Sequence, residues 1–95
     1  MLYVAIGRNV GDSPMGKVAW SSFRDDVVDA VGCGFPDTIA YGQSSWDGET
    51  EETCVLVWFY ATLSVNVAEN LDVVRAKYGQ DAIAALDGNV ELIGL

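Results

Sequence analysis

The chain opens on LYVAI, in which Leu2 and Ile6 alternate with Tyr3 and Ala5 before Gly7 interrupts the run, a pattern that predicts a strand from about Leu2 to Ile6. The period then lengthens. In DSPMGKVAWSSFRDDVVDAVG, Trp20, Phe23, Val27 and Val31 fall on one helical face, while Lys17, Arg24, Asp25 and Asp29 lie largely elsewhere. Ser13 is suited to the N-cap, Pro14 to the first helical position, and Gly32 to the left-handed turn that ends a helix. Trp20 and Phe23 are expected in the core.

After a turn at CGFPD, TIAYGQ predicts a second strand, and SSWDGETEE has the polarity and Asp-Gly dipeptide of a loop between antiparallel strands. The third strand, TCVLVWFYATL, is apolar on both faces: Cys54, Leu56, Trp58 and Tyr60 form one, Val55, Val57, Phe59 and Ala61 the other. NVAENLDVVRAKYG reads as a second helix with Asn66 and Glu69 as a capping box, an apolar stripe of Leu71, Val74 and Tyr78, and Gly79 at its end. DAIAAL and VELIGL flank a tight hairpin at Asp87-Gly88-Asn89; the Ala-rich first piece also suits an extended helix, but Gly79 stands where a C-cap belongs. The order β-α-β-β-α-β, with a short extra C-terminal strand, defines an α+β sandwich of the ferredoxin-like kind spanning 1–95 as one domain. Helices cover one face of such a sheet. The other apolar face is left for a partner, so a homodimer or larger closed assembly is expected.

Charge narrows the function. Fourteen acidic and 5 basic residues give a net charge of -9 with no histidine, which opposes binding to a phosphate backbone. The longest uncharged apolar run, CVLVWFYATL, is far short of the roughly 20 residues of a membrane-spanning helix, and MLYVAIGRN lacks the basic start of a signal peptide. Cys33 and Cys54 have no C-x-x-C spacing and read as small buried apolar residues in a reducing compartment. A cytoplasmic protein is expected.

The tripeptide Tyr-Gly-Gln occurs twice, at Tyr41 to Gln43 and Tyr78 to Gln80. It does not mark a duplication, because the first copy follows a strand and the second follows a helix. Together with Gly7-Arg8, Trp20 and Phe23, Phe35-Pro36-Asp37 and Trp46, the two triplets make a pattern over about Val4 to Ile83 that resembles a family of small bacterial proteins of unknown function. The chain is also similar to small proteins of actinobacteria and their phages.

Catalytic chemistry finds little support. No histidine is present to activate a serine or cysteine, no G-x-S-x-G elbow occurs, and the adjacent Asp25 and Asp26 point apart on a helix, so no catalytic residue is assigned. DGETEE lacks the calcium-loop spacing and reads as solvated, so no metal or cofactor is expected. IGRNVGDSP stands out: it joins a strand end to a helix start, carries two glycines, and sets Arg8 beside orphan amides that attract anions. Arg8, Asn9, Gln43, Trp46 and Gln80 are the candidate ligand-binding residues. The expected function is a non-catalytic, oligomeric binding protein for a small anionic or nucleotide-like ligand, in its sharpest form a phage sponge for a host immune nucleotide signal. An acidic inhibitor that blocks a basic host surface is the alternative, and a small enzyme the third reading.

Overall fold

The computed structural model describes residues 1–46 and 48–88, the side chain of Trp46 excepted. The hairpin that ends at Asn89 and the extra strand VELIGL therefore lie outside the described residues. The elements are β1 (Leu2–Gly7), β2 (Asn9–Val10), β3 (Ser13–Pro14), α1 (Lys17–Val31), β4 (Thr38–Trp46), β5 (Glu49–Trp58), α2 (Val65–Lys77) and β6 (Ala84–Asp87). Four strands form one antiparallel sheet in the order β4-β5-β1-β6, and β2 pairs with β3 in a separate small hairpin. Set aside that hairpin and the order is β-α-β-β-α-β with both central strands flanked by antiparallel neighbours, the ferredoxin-like sandwich expected from the pattern.

Alternation decides which side chains meet the helices. Leu2, Val4 and Ile6 of β1 and Cys54, Leu56 and Trp58 of β5 are buried, and they pack with Phe23, Val27 and Val31 of α1 and Leu71 and Val74 of α2. Phe23 is fully buried, with Tyr78 stacked on it at 4.8 Å between centroids and Trp20 meeting its edge at 6.1 Å. Trp20 is only half-buried, so the centre of this cluster is Phe23. Cys33 is exposed, against the expectation of burial; it follows the helix-ending Gly32 (φ 73°) in a turn outside the core.

Both helix starts differ from the sequence reading. Ser13 and Pro14 do not open α1; they pair with Val10 and Asn9 around Gly11 (φ 64°), and α1 begins after Gly16, which makes no side-chain cap bond. Proline loses nothing at this strand edge, and the buried Met15 fixes the chain before the helix can start. In α2 the N-cap is Ser64, whose Oγ accepts from the Val67 amide at 3.2 Å, and Asn66 and Glu69 lie within the helix. The capping-box spacing was therefore coincidental.

Within the polar stretch SSWDGETEE, expected as a loop, Ser44 to Trp46 belong to β4 and Glu49 to Glu52 to β5. β4 and β5 stay in register from Thr38↔Val57 to Trp46↔Glu49 and turn through Gly48 (φ 80°). Two carboxylates of the acidic strand, Glu51 and Glu52, are individually engaged, as described below. At its other end β5 stops at Trp58, not Leu63: the Phe59 amide donates to Asp37 Oδ2 at 2.7 Å, and Trp58 Nε1 donates to the Gly34 carbonyl at 3.0 Å. These bonds turn the chain out of the sheet.

Candidate ligand-binding cleft

The second face of the sheet, away from the helices, carries Tyr3, Ala5, Val55 and Val57. Where β1 ends and β5 begins, this face passes into a cleft of about 180 Å³. Its walls come from the β4–β5 hairpin (Ser44, Glu49, Glu51), from the β2–β3 hairpin (Asn9), and from the segment after α2 (Gln80, Asp81).

Glu51 forms the cleft's best-defined polar feature. Its Oε2 accepts from the Asn9 amide at 2.8 Å, and its carboxylate lies against Gly7 so closely that a Cβ there would collide with it. Gly7 is thus needed for space, not for an unusual backbone angle. Alongside, Ser44 Oγ and Thr53 Oγ1 share a hydrogen bond on the same face. Gln80 is the buried polar residue among those described, and Nε2 donates to the Asn9 carbonyl at 2.8 Å. Its own carbonyl accepts from Arg75 Nη1 at 2.9 Å, while Gly79 takes the positive φ (65°) that bends the chain from α2 into this position. Asn9 is therefore held from two sides.

Arg8 points elsewhere. Nη1 pairs with Glu52 Oε2 at 2.6 Å and Nε donates to the Met15 carbonyl at 2.7 Å, with the side chain 19% exposed. Its partner is Glu52, on β5. Gln43 is exposed on β4 opposite Glu52 of β5, whose carbonyl accepts from the Arg8 amide just beyond the end of β1, so the three residues form one row. The five sequence candidates thus divide: Asn9 and Gln80 join at the cleft, Arg8 and Gln43 lie near Glu52, and the side chain of Trp46 is outside the described residues. Sequence reasoning missed Glu49, Glu51 and Asp81. Alternation could have found the first two, since Glu49, Glu51 and Thr53 continue the face of Val55 and Val57.

The cleft is acidic. Glu49, Glu51 and Asp81 line it and, among the described residues, no lysine or arginine does. Nor do the described residues place three or more Cys, Asp and Glu where they could hold a metal.

Fold and cleft define a small α+β protein with a polar, carboxylate-lined recess at one end of its sheet. Neither a protein-family model nor a curated protein matches the chain. Among solved structures, the chain is similar to a phage SAM lyase in its apo state, at 18% identity and a TM-score of 0.58, covering 88% of this chain and 74% of that one. A phage SAM lyase in complex with S-methyl-5'-thioadenosine is matched at 13% identity and a TM-score of 0.44, covering 88% and 75%. The first likeness supports the fold. No helix among the described residues is long and apolar enough to cross a membrane.

Proposed function

We propose that this protein binds a nucleoside-like small molecule carrying positive charge, of the S-adenosyl sulfonium type, in the cleft around Glu51. The observation that carries the reading is the charge of the lining. Three carboxylates beside the amides of Asn9 and Gln80 and the hydroxyl of Ser44 suit ribose hydroxyls and a cation, and they oppose a phosphate. The fold shared with a phage SAM lyase supports the same ligand class. An anionic ligand held by Arg8 is the weaker form of the idea, because Glu52 already neutralises that guanidinium. The biological role proposed is sequestration by a phage protein, now of a sulfonium nucleoside in place of a nucleotide signal.

Cleavage of the bound ligand is a second reading, favoured by the Glu51 carboxylate in the cleft. The thioether of a sulfonium is a good leaving group: were the cleft to hold the ligand's own carboxylate in line with its Cγ, a C–O bond would form as the C–S bond broke, the electron pair passing to sulfur to give S-methyl-5'-thioadenosine and a lactone.

One calorimetric series tests these readings: S-adenosylmethionine, S-methyl-5'-thioadenosine and adenosine 5'-monophosphate against wild type, Glu51→Gln and Arg8→Ala. The proposal expects S-adenosylmethionine to bind, and Glu51→Gln to weaken it by roughly 1.5–3 kcal/mol, the range for a charge-assisted hydrogen bond. Tighter binding of the monophosphate, lost in Arg8→Ala, would restore the anion reading. Release of S-methyl-5'-thioadenosine from S-adenosylmethionine by wild type would make the protein a lyase.

A further inference from the structure

We infer that the outer edge of β4, together with the uncovered sheet face beside it, is a self-association surface occupied by a second copy of this chain. β4 is the end strand of the sheet, and its nine residues, Thr38 to Trp46, contain no charge and no proline. Its pairing with β5 runs without a bulge, and residues 38–45 are all exposed. A long, neutral, unbulged edge presents unpaired amides and carbonyls to any compatible strand, and proteins that remain monomeric blunt such edges with lysine, proline, a bulge or a covering segment. None of these lies along β4 among the described residues.

The choice of occupant follows from what borders the edge. From Ala40 the uncovered face continues inward through Val55, Ala5 and Val57 to Tyr3 and Leu86, the last 64% exposed. A single foreign strand added at β4 would satisfy the edge and leave that face in water. A second copy offers both another strand and another apolar face. Charge points the same way: two bodies of -9 repel one another, and this surface is where the described sheet is free of charged side chains until Glu51 and Glu49 near the hairpin. The helix layer on the opposite face is, by contrast, studded with charged side chains, among them Asp25, Asp29, Glu69 and Asp72.

The test is light scattering and amide hydrogen exchange on the whole chain at rising concentration, with Thr38→Lys/Ala40→Lys as the variant. Wild type is expected at a mass of at least twice 10.2 kDa, with β4 amides more protected at high concentration. The double variant is expected to be monomeric with an unchanged circular dichroism spectrum. Its two added positive charges bring -9 to -7, which lessens repulsion between copies, so dissociation would report the lost edge and not the net charge. Monomeric wild type overturns the inference, as does a folded variant that stays assembled. Should the variant fail to fold, wild-type exchange decides: assembly without concentration-dependent protection of β4 overturns it equally.

Discussion

Gln80 Nε2 donates to the Asn9 carbonyl oxygen at 2.8 Å across a sequence separation of 71. This bond ties the turn after α2 to the small hairpin after β1, and it gives the second Tyr-Gly-Gln its physical content. Tyr78 stacks on Phe23, Gly79 turns the chain with φ 65°, and Gln80 enters the protein. The first triplet has no such role, because Gln43 is exposed on an edge strand. Gln80→Ala should therefore cost about 1–3 kcal/mol, the penalty for stranding a buried polar partner, and lower Tm by several degrees. Gln43→Ala should fall within about 0.5 kcal/mol of wild type. Paired thermal melts check the contrast; equal losses would mean that the Asn9 bond contributes nothing.

Gly7 and Glu51 supply a second prediction. A methyl at Gly7 would strike the end of a flexible carboxylate and not the backbone, so Gly7→Ala should move Glu51 away from the Asn9 amide while the fold survives. Affinity for S-adenosylmethionine should then fall in the same direction as in Glu51→Gln, with only a small change in the melting curve. Undiminished binding in Gly7→Ala would separate the ligand from Glu51.

The aromatic cluster separates depth from size. Trp20 is the larger ring, yet Phe23 is fully buried between Trp20 and Tyr78. Phe23→Ala should cost roughly 3–5 kcal/mol, a large share of the roughly 5–15 available to a domain, and the half-buried Trp20 should cost less when truncated. Urea denaturation of both variants ranks them.

What could be read in the sequence depended on distance along the chain. The alternation in Leu2–Ile6 and the helical spacing of Phe23, Val27 and Val31 report burial through local period, and the sheet and its helix-covered face followed from them. Gly32 also carried its signal locally, as the left-handed C-cap of α1. Ser64 and Asn66 are both good caps by residue type, and only the backbone shows which one receives the Val67 amide. The acidic stretch Glu49–Glu52 reads as a loop because it is polar and follows an Asp-Gly dipeptide. Its stabilising partners, Arg8 for Glu52 and the Asn9 amide for Glu51, are more than 40 positions away. Polarity marked the cleft as solvent for the same reason.

The last prediction concerns the contact between the helices. Lys77 Nζ and Tyr78 Oη both donate to Asp26 Oδ2, at 2.7 and 2.6 Å, joining the end of α2 to α1. The Lys77 ammonium bond and then the tyrosine hydroxyl bond hold the Asp26 carboxyl below its ordinary value, against a smaller opposing effect of burial. A carboxylate whose pKa is depressed by folding stabilises the native state above the unfolded value of about 3.9, and that contribution disappears as pH falls through the lower, folded value. Wild type should thus lose stability from this pair on acidification below about pH 4, in addition to losses at other carboxylates. Asp26→Asn should be less stable at neutral pH and lose less on acidification, so the two melting temperatures should converge toward low pH. Chemical denaturation at a series of pH values measures the gap directly; a gap that stays constant below pH 4, about the ordinary carboxylate range, would show that Asp26 acts through packing and not through its charge.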